Sequence, residues 1–127
     1  MTNFELVKDF MTKFGQDVKE QPQWPTKEIQ DLRLDLIAEE LGELEEAALN
    51  KGTLVDVADA LTDILYVVYG AGHSFGIDLD ACFKEVHESN MSKLDTNGKP
   101  IYNDAGKVMK GPRFRLPNLE KVLYERD

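Results

Sequence analysis

Five carboxylates, Glu40 and Glu43 on one helical segment and Asp56, Asp59 and Asp63 on the next, stand where they face inward as two clusters of like charge. At about 100° per residue, Glu40 falls within roughly 60° of Ile29, Leu36, Ile37, Leu44 and Ala47, so it points with the apolar face of its segment. Glu43 lies at the edge of the same face. Asp59 and Asp63 are four residues apart among Val57, Leu61, Ile64, Leu65, Val67 and Val68, and Asp56 precedes them by one turn on the same side. An inward carboxylate without a partner costs several kcal/mol or takes up a proton. Two such groups facing each other ask for a shared cation, and an all-oxygen ligand set suits Mg²⁺, with Mn²⁺ as the second choice.

Acids on helices are commonly a solvated face, and Glu45 and Glu46, which point away from the stripe, are read that way. Glu40 and Asp63 break the pattern, because charge within an apolar stripe is the informative exception. The only Lys or Arg near these acids in the sequence are Arg33 and Lys51. A metal site therefore explains the placement better than a set of salt bridges.

The 127 residues carry a net charge of -9 and a mean hydropathy of -0.41, as expected for one globular domain rather than a partner of a nucleic-acid polymer. The charge is segregated. Residues 1–92 hold 19 acids against 7 Lys and Arg, whereas residues 93–115 hold 6 basic residues against 2 acids. An acidic body with a basic tail suits a small polyanionic ligand, the metal neutralising one side and the tail the other. No apolar run is long enough for a membrane span, and MTNFELVKDF has no basic-then-apolar leader pattern. Cys82, the single cysteine, excludes an internal disulfide, reads as a buried structural thiol and makes the cytoplasm the default location.

Periodicity predicts helices over 3–18, 27–50, 54 to about 72, and 79–93, with Thr26 and Thr53 as N-caps and Asn50 to Gly52 as a stop. Trp24, between Pro22 and Pro25, reads as a core anchor or as a base-stacking side chain. Lys99–Tyr102 and Lys107–Lys110 are expected to pair as a short hairpin, followed by an extended piece and a last helical turn. Asp95, Asn97 and Gly98 hint at a calcium loop, but no later bidentate glutamate completes it. No internal repeat is evident. The expectation is an all-α, four- to five-helix bundle-like chain: a metal-binding body over 1–94, and a basic tail over 95–127 packed on the same domain. Apolar helix faces that one copy cannot cover predict a homodimer or homotetramer.

Glu39-Glu40-Leu41-Gly42-Glu43 matches the EExxE signature of the all-α nucleoside triphosphate pyrophosphohydrolases, the superfamily of MazG, the dimeric dUTPases and phosphoribosyl-ATP pyrophosphohydrolase. Asp59-Ala60-Leu61-Thr62-Asp63 resembles the helix bearing its second signature, ExxD, with Asp63 in the place of the aspartate. Position 60 departs from that signature: it is alanine, with Asp59 one residue early and Asp56-x-x-Asp59 keeping the spacing. Glu85 to Lys93, with GKPIY and GKVMKGP beyond, looks like a MazG-like subgroup, and the resemblance covers most of residues 28–115.

The resemblance implies a MazG-type fold and Mg²⁺-dependent cleavage of the α–β phosphoanhydride of a nucleoside triphosphate, with dUTP and dCTP the first substrates to try. It places the metal on Glu40, Glu43, Asp59 and Asp63, with Asp56 the alternative to Asp59, and water activation on Glu39 or Glu40. Asn90 and Lys93 are expected to meet the substrate. Lys107, Lys110, Arg113 and Arg115 either close over the phosphates or solubilise the tail. His73 and His87 lack metal-ligand spacing and are read as structural or exposed. Neither a nucleophilic triad nor a P-loop is present. The altered ExxD position supports a second reading, a non-catalytic helical module binding a cation or a basic partner.

Overall fold

The computed structural model describes residues 1–125 and is helical throughout: α1 (Asn3–Lys13), α2 (Lys27–Leu49), α3 (Leu54–Phe75), α4 (Leu79–Met91) and α5 (Leu119–Tyr124). Two compact units divide it, one over Met1–Leu79 and one from Asp80 onward. No helix among the described residues is long and apolar enough to cross a membrane.

In the first unit, α2 and α3 form a helical hairpin and α1 packs on α3. Side-chain caps set the starts. Thr2 and Glu5 form a reciprocal box at α1, Thr26 Oγ1 accepts the Ile29 N–H at α2, and Thr53 pairs with Asp56 at α3. The hairpin turn runs through Asn50, Lys51 at φ 55° and Gly52. A Cβ on Gly52 would lie 3.0 Å from Asp56 Oδ2 and 3.1 Å from the Ala47 carbonyl oxygen, so the residue at the turn must be small.

Two boundaries differ from the periodicity. α1 stops at Lys13 because Gly15, at φ 72°, turns the chain; the apolar spacing of residues 4–14 carries no such signal. α3 runs on through Gly70 and Gly72 to Phe75 and ends at Gly76, which is left-handed at φ 68°. Gly70 serves close approach rather than termination, since a Cβ there would sit 2.7 Å from Arg33 Nη1. The 14–26 linker is tied to the end of α3: the Lys19 N–H donates to the His73 carbonyl at 2.8 Å, the Gln23 N–H to that of Phe75 at 2.9 Å, and Ser74 Oγ to that of Asp17 at 2.9 Å. Trp24 is not a core anchor. It is 79% exposed and meets only the edge of Phe75, while Pro25 takes the buried place.

His73 is structural, buried against the Phe4 ring with Nε2 2.7 Å from the Phe4 carbonyl oxygen, and His87 is exposed. Phe4, Val7, Met11 and Ala60 are buried apolar side chains of this unit, together with Pro25. Leu34, Leu41, Leu54, Leu61 and Leu65 remain exposed.

In the second unit, Arg115 ties the chain after the hairpin to α4. Its guanidinium donates to Glu85 Oε2 at 2.7 Å and to Glu88 Oε2 at 3.3 Å, and its carbonyl accepts from Ser89 Oγ at 2.8 Å. Arg115 is therefore an anchor and not a cation free to close on phosphate. Cys82 is buried. The expected hairpin shrinks to one antiparallel bridge, Tyr102 with Val108.

Against the expectation of no internal repeat, the segment after α4 holds a short one. Asp95 Oδ1 accepts the N–H groups of Asn97 and Lys99, and Asn103 Oδ1 accepts those of Ala105 and Lys107. Each turn places a glycine, Gly98 or Gly106, at positive φ. The signal was present as Asp-x-x-Gly-Lys followed, after three residues, by Asn-x-x-Gly-Lys. The first turn occupies the Asp95 carboxylate with backbone N–H groups, which explains the calcium-like spelling without a metal.

Candidate functional site

Ligand oxygens of Glu39, Glu40 and Glu43 lie within 4.8 Å of one another on α2. One turn and a half of helix suffices: positions 39, 40 and 43 share a face, and no loop is needed to gather them. Glu40 Oε2 is enclosed with no hydrogen-bond partner among the described residues. Burial pushes the Glu40 carboxyl above its usual range, and the adjoining Glu43 carboxylate and the charges of Asp63 and Glu39 push it further. Asp63 is raised first by burial, then by the charges of Asp59 and Glu43. The charge of Asp63 thus acts on Glu40, and that of Glu43 on Asp63, across the hairpin.

Beside Glu40 and Asp63 lies a cleft of about 580 Å³ whose walls include Glu39, Glu43, Glu46, Asp56, Asp59 and Ala60. Only Glu40 and Asp63 are partly buried; Glu39, Glu43, Asp56 and Asp59 are exposed. The inward placement expected of all five acids thus holds for two. The reason is that the cleft between the two helices is open to solvent. Among the described residues, none of these acids is ion-paired with Lys or Arg. Arg33, the candidate partner in the sequence, donates instead to Ser74 Oγ and Gln16 Oε1, at 3.1 and 3.3 Å.

Asp56 and Asp59 differ in what they already hold. Asp56 Oδ2 accepts the Thr53 N–H at 3.0 Å and closes the cap of α3. Asp59 has no such duty. Ala60, where the ExxD pattern has its first acid, is buried and faces the same cleft. A longer acidic side chain there would reach into the cleft; here the neighbours at 56 and 59 must serve.

The substrate-binding candidates belong to the second unit. Asn90 is exposed in the last turn of α4, and Lys93 follows that helix, its N–H donating to the Asn90 carbonyl at 3.2 Å. Lys93 thus stands one tight turn beyond Asn90, just past the end of the helix. Lys107 and Arg113 are exposed, and the Lys110 ammonium lies 5.0 Å from the Phe114 ring centre, a cation–π arrangement.

Residues 7–90 match the family model for phosphoribosyl-ATP pyrophosphohydrolase, which takes in both acid-bearing helices. The chain belongs to that family. The match stops at Asn90, so Lys93 and the basic residues after it lie outside it. Protein L479 of Acanthamoeba polyphaga mimivirus is 38% identical over 111 residues, covering 80% of this chain and 39% of its own. The chain thus spans well under half the length of that viral relative. A crystal structure from Exiguobacterium sp. 255-15, of a protein proposed to be an NTP pyrophosphohydrolase, covers 92% of this chain and 89% of its own at 25% identity and a TM-score of 0.48.

Proposed function

We propose that this member of the phosphoribosyl-ATP pyrophosphohydrolase family hydrolyses the α–β phosphoanhydride of a nucleoside triphosphate with Mg²⁺, releasing a monophosphate and pyrophosphate. One observation carries the reading: among the described residues Glu40 Oε2 is enclosed without a partner beside the carboxylates of Glu39 and Glu43, whose charges raise its proton affinity. Such a set is unfavourable alone and complete with a divalent cation. Glu40, Glu43, Asp59 and Asp63 would hold it. Asp59 is preferred to Asp56 because the latter's carboxylate is engaged in the α3 cap. When bound, Mg²⁺ offsets negative charge on the phosphate oxygens.

The chain's own residues do the rest. Glu39 is exposed beside this set and accepts a proton from the attacking water, with Glu40 as the alternative base. Lys93, Lys107, Lys110 and Arg113 supply cations against the triphosphate, and Asn90 an amide. A second copy of the chain covers the exposed leucines of the α2–α3 hairpin and closes the open cleft; Leu54, Leu61 and Leu65, at intervals of seven and four, make such a seam.

The test is pyrophosphate release from the nucleoside and deoxynucleoside triphosphates and phosphoribosyl-ATP, with Mg²⁺ and with chelator. Release that needs Mg²⁺ and is lost in Glu40→Gln is expected; no release from any of them overturns the proposal. Ala60 favours one second reading, a cation-binding module without turnover. It predicts Mg²⁺ binding at the same acids with no pyrophosphate formed.

A further inference from the structure

The face of α2 that carries the acids continues toward its N-terminus into a second cavity. Ile29, Leu32, Arg33 and Leu36 form one side of it, the Gly15–Val18 linker the other, and its volume is about 690 Å³. Arg33 is seven residues from Glu40, two turns along the same face and about 10 Å away along the axis. The cavity is thus separate from the acid cleft, with Leu36 between them.

Arg33 is 6% exposed and has no ion pair among the described residues. Its hydrogen bonds go to neutral acceptors, Ser74 Oγ through Nε and Gln16 Oε1 through Nη2. A guanidinium carries five N–H donors, so three are left over. The nearest acid, Asp17, is paired with Lys19. Burial lowers the proton affinity of Arg33, and the opposing pull of Asp17 is the smaller effect. A buried cation satisfied only by neutral groups is as incomplete as a buried acid without a counter-ion, and planar N–H donors complete themselves best on an oxyanion.

We propose that this cavity is an anion site, in which the Arg33 guanidinium and the Gln16 side chain hold the oxygens of a phosphate group. On the α2 side the lining beside Arg33 is apolar, Ile29, Leu32 and Leu36; the one acid of the lining, Asp17 on the linker side, is ion-paired with Lys19. The phosphate is either free or part of a nucleotide; the chemistry at Arg33 is the same. This site does not depend on the proposed hydrolysis.

The test titrates inorganic phosphate, and separately AMP, into the full chain without divalent metal and at ionic strength held constant with chloride. It follows the Arg33 Nε–H and Gln16 amide resonances and the melting temperature. A saturable shift of those resonances with a rise in melting temperature is expected for phosphate. AMP binding tighter than phosphate assigns the site to a nucleotide phosphate, and weaker binding to the free anion. Gln16→Glu is the decisive variant. Gln16 is exposed, and the new carboxylate would face Nη2, so the protein should melt higher while phosphate binds at least tenfold more weakly. Arg33→Met should lose phosphate binding too, but Gln16→Glu decides even where that variant fails to fold. Glu40→Gln should bind phosphate as the parent does. Phosphate affinity unchanged in Gln16→Glu, no saturable shift at Arg33 and Gln16, or shifts confined to Lys107–Arg113 would each overturn the site.

Discussion

Glu40 on α2 and Asp63 on α3 are the two partly buried acids of the candidate site, and the charge of Asp63 raises the proton affinity of Glu40 across the helical hairpin. Neither has a cationic side chain to offset it among the described residues. Their juxtaposition therefore costs stability in the metal-free protein and supports function only when a cation is bound. Glu40→Gln and Asp63→Asn should each melt at or above the parent temperature without metal. Each should also lose most of the Mg²⁺-induced rise in melting temperature, and turnover. Thermal melts with and without Mg²⁺ check this; marked destabilisation of the metal-free variants would reveal a structural role instead.

The same pair fixes a pH dependence. A carboxyl whose folded-state proton affinity is raised binds more protons folded than unfolded, between its ordinary value and its raised one. Stability of the metal-free protein attributable to Glu40 and Asp63 should fall as pH rises through that window. Glu85, lowered chiefly by its hydrogen bonds to Arg115 and the Asn118 N–H, acts oppositely: its contribution is lost as pH falls through its lowered value. Mg²⁺ binding, which needs the ionised acids, should strengthen across the window where the first pair weakens the fold. Denaturant melts of parent and Glu40→Gln across the carboxylate range separate the terms, because the variant should show the flatter upper part. An equal slope in both would remove Glu40 from the account.

How far these features could be read from the sequence follows from their range in the chain. Glu40 and Asp63 were legible because an acid in an apolar stripe contradicts its own helix, a purely local conflict. The caps Thr26 and Thr53 were legible for the same reason. Gly70 was not: it resembles a helix stop, and only the guanidinium of Arg33, 37 positions earlier in the chain, shows it to be a point of close approach. Arg33 itself suggested a partner for nearby acids, whereas its contacts are with Gln16 and Ser74. Trp24 misled because aromatic bulk between prolines suggests burial, and the linker hydrogen bonds to α3 instead turn it outward.

Asp56 and Asp59 make the ligand assignment testable in a single comparison. Asp56→Asn weakens the reciprocal cap with Thr53, so it should destabilise the fold by about 1 kcal/mol while barely changing the Mg²⁺ concentration for half-maximal activity. Asp59→Asn should do the reverse, leaving melting nearly unchanged and raising that concentration at least tenfold. Metal titrations of activity paired with thermal melts read both quantities. The opposite pattern would transfer the ligand role to Asp56.

The basic segment calls for charge removal rather than truncation. A cut after Leu94 would delete Arg115 and with it the bonds to Glu85, Glu88 and Ser89, so any loss of activity would reflect the fold of the second unit. Lys93→Ala, and the triple change Lys107→Ala, Lys110→Ala and Arg113→Ala, spare that anchor. If these cations meet the triphosphate, each variant should lower kcat/KM at least tenfold, about 1.4 kcal/mol, with the loss growing at low ionic strength. The Lys110→Ala component also removes the contact over Phe114, so a melt must accompany it. Unchanged kinetics in the triple variant with an intact melt would make the segment a solubilising surface, and would leave Lys93 as the cation to examine in the second unit.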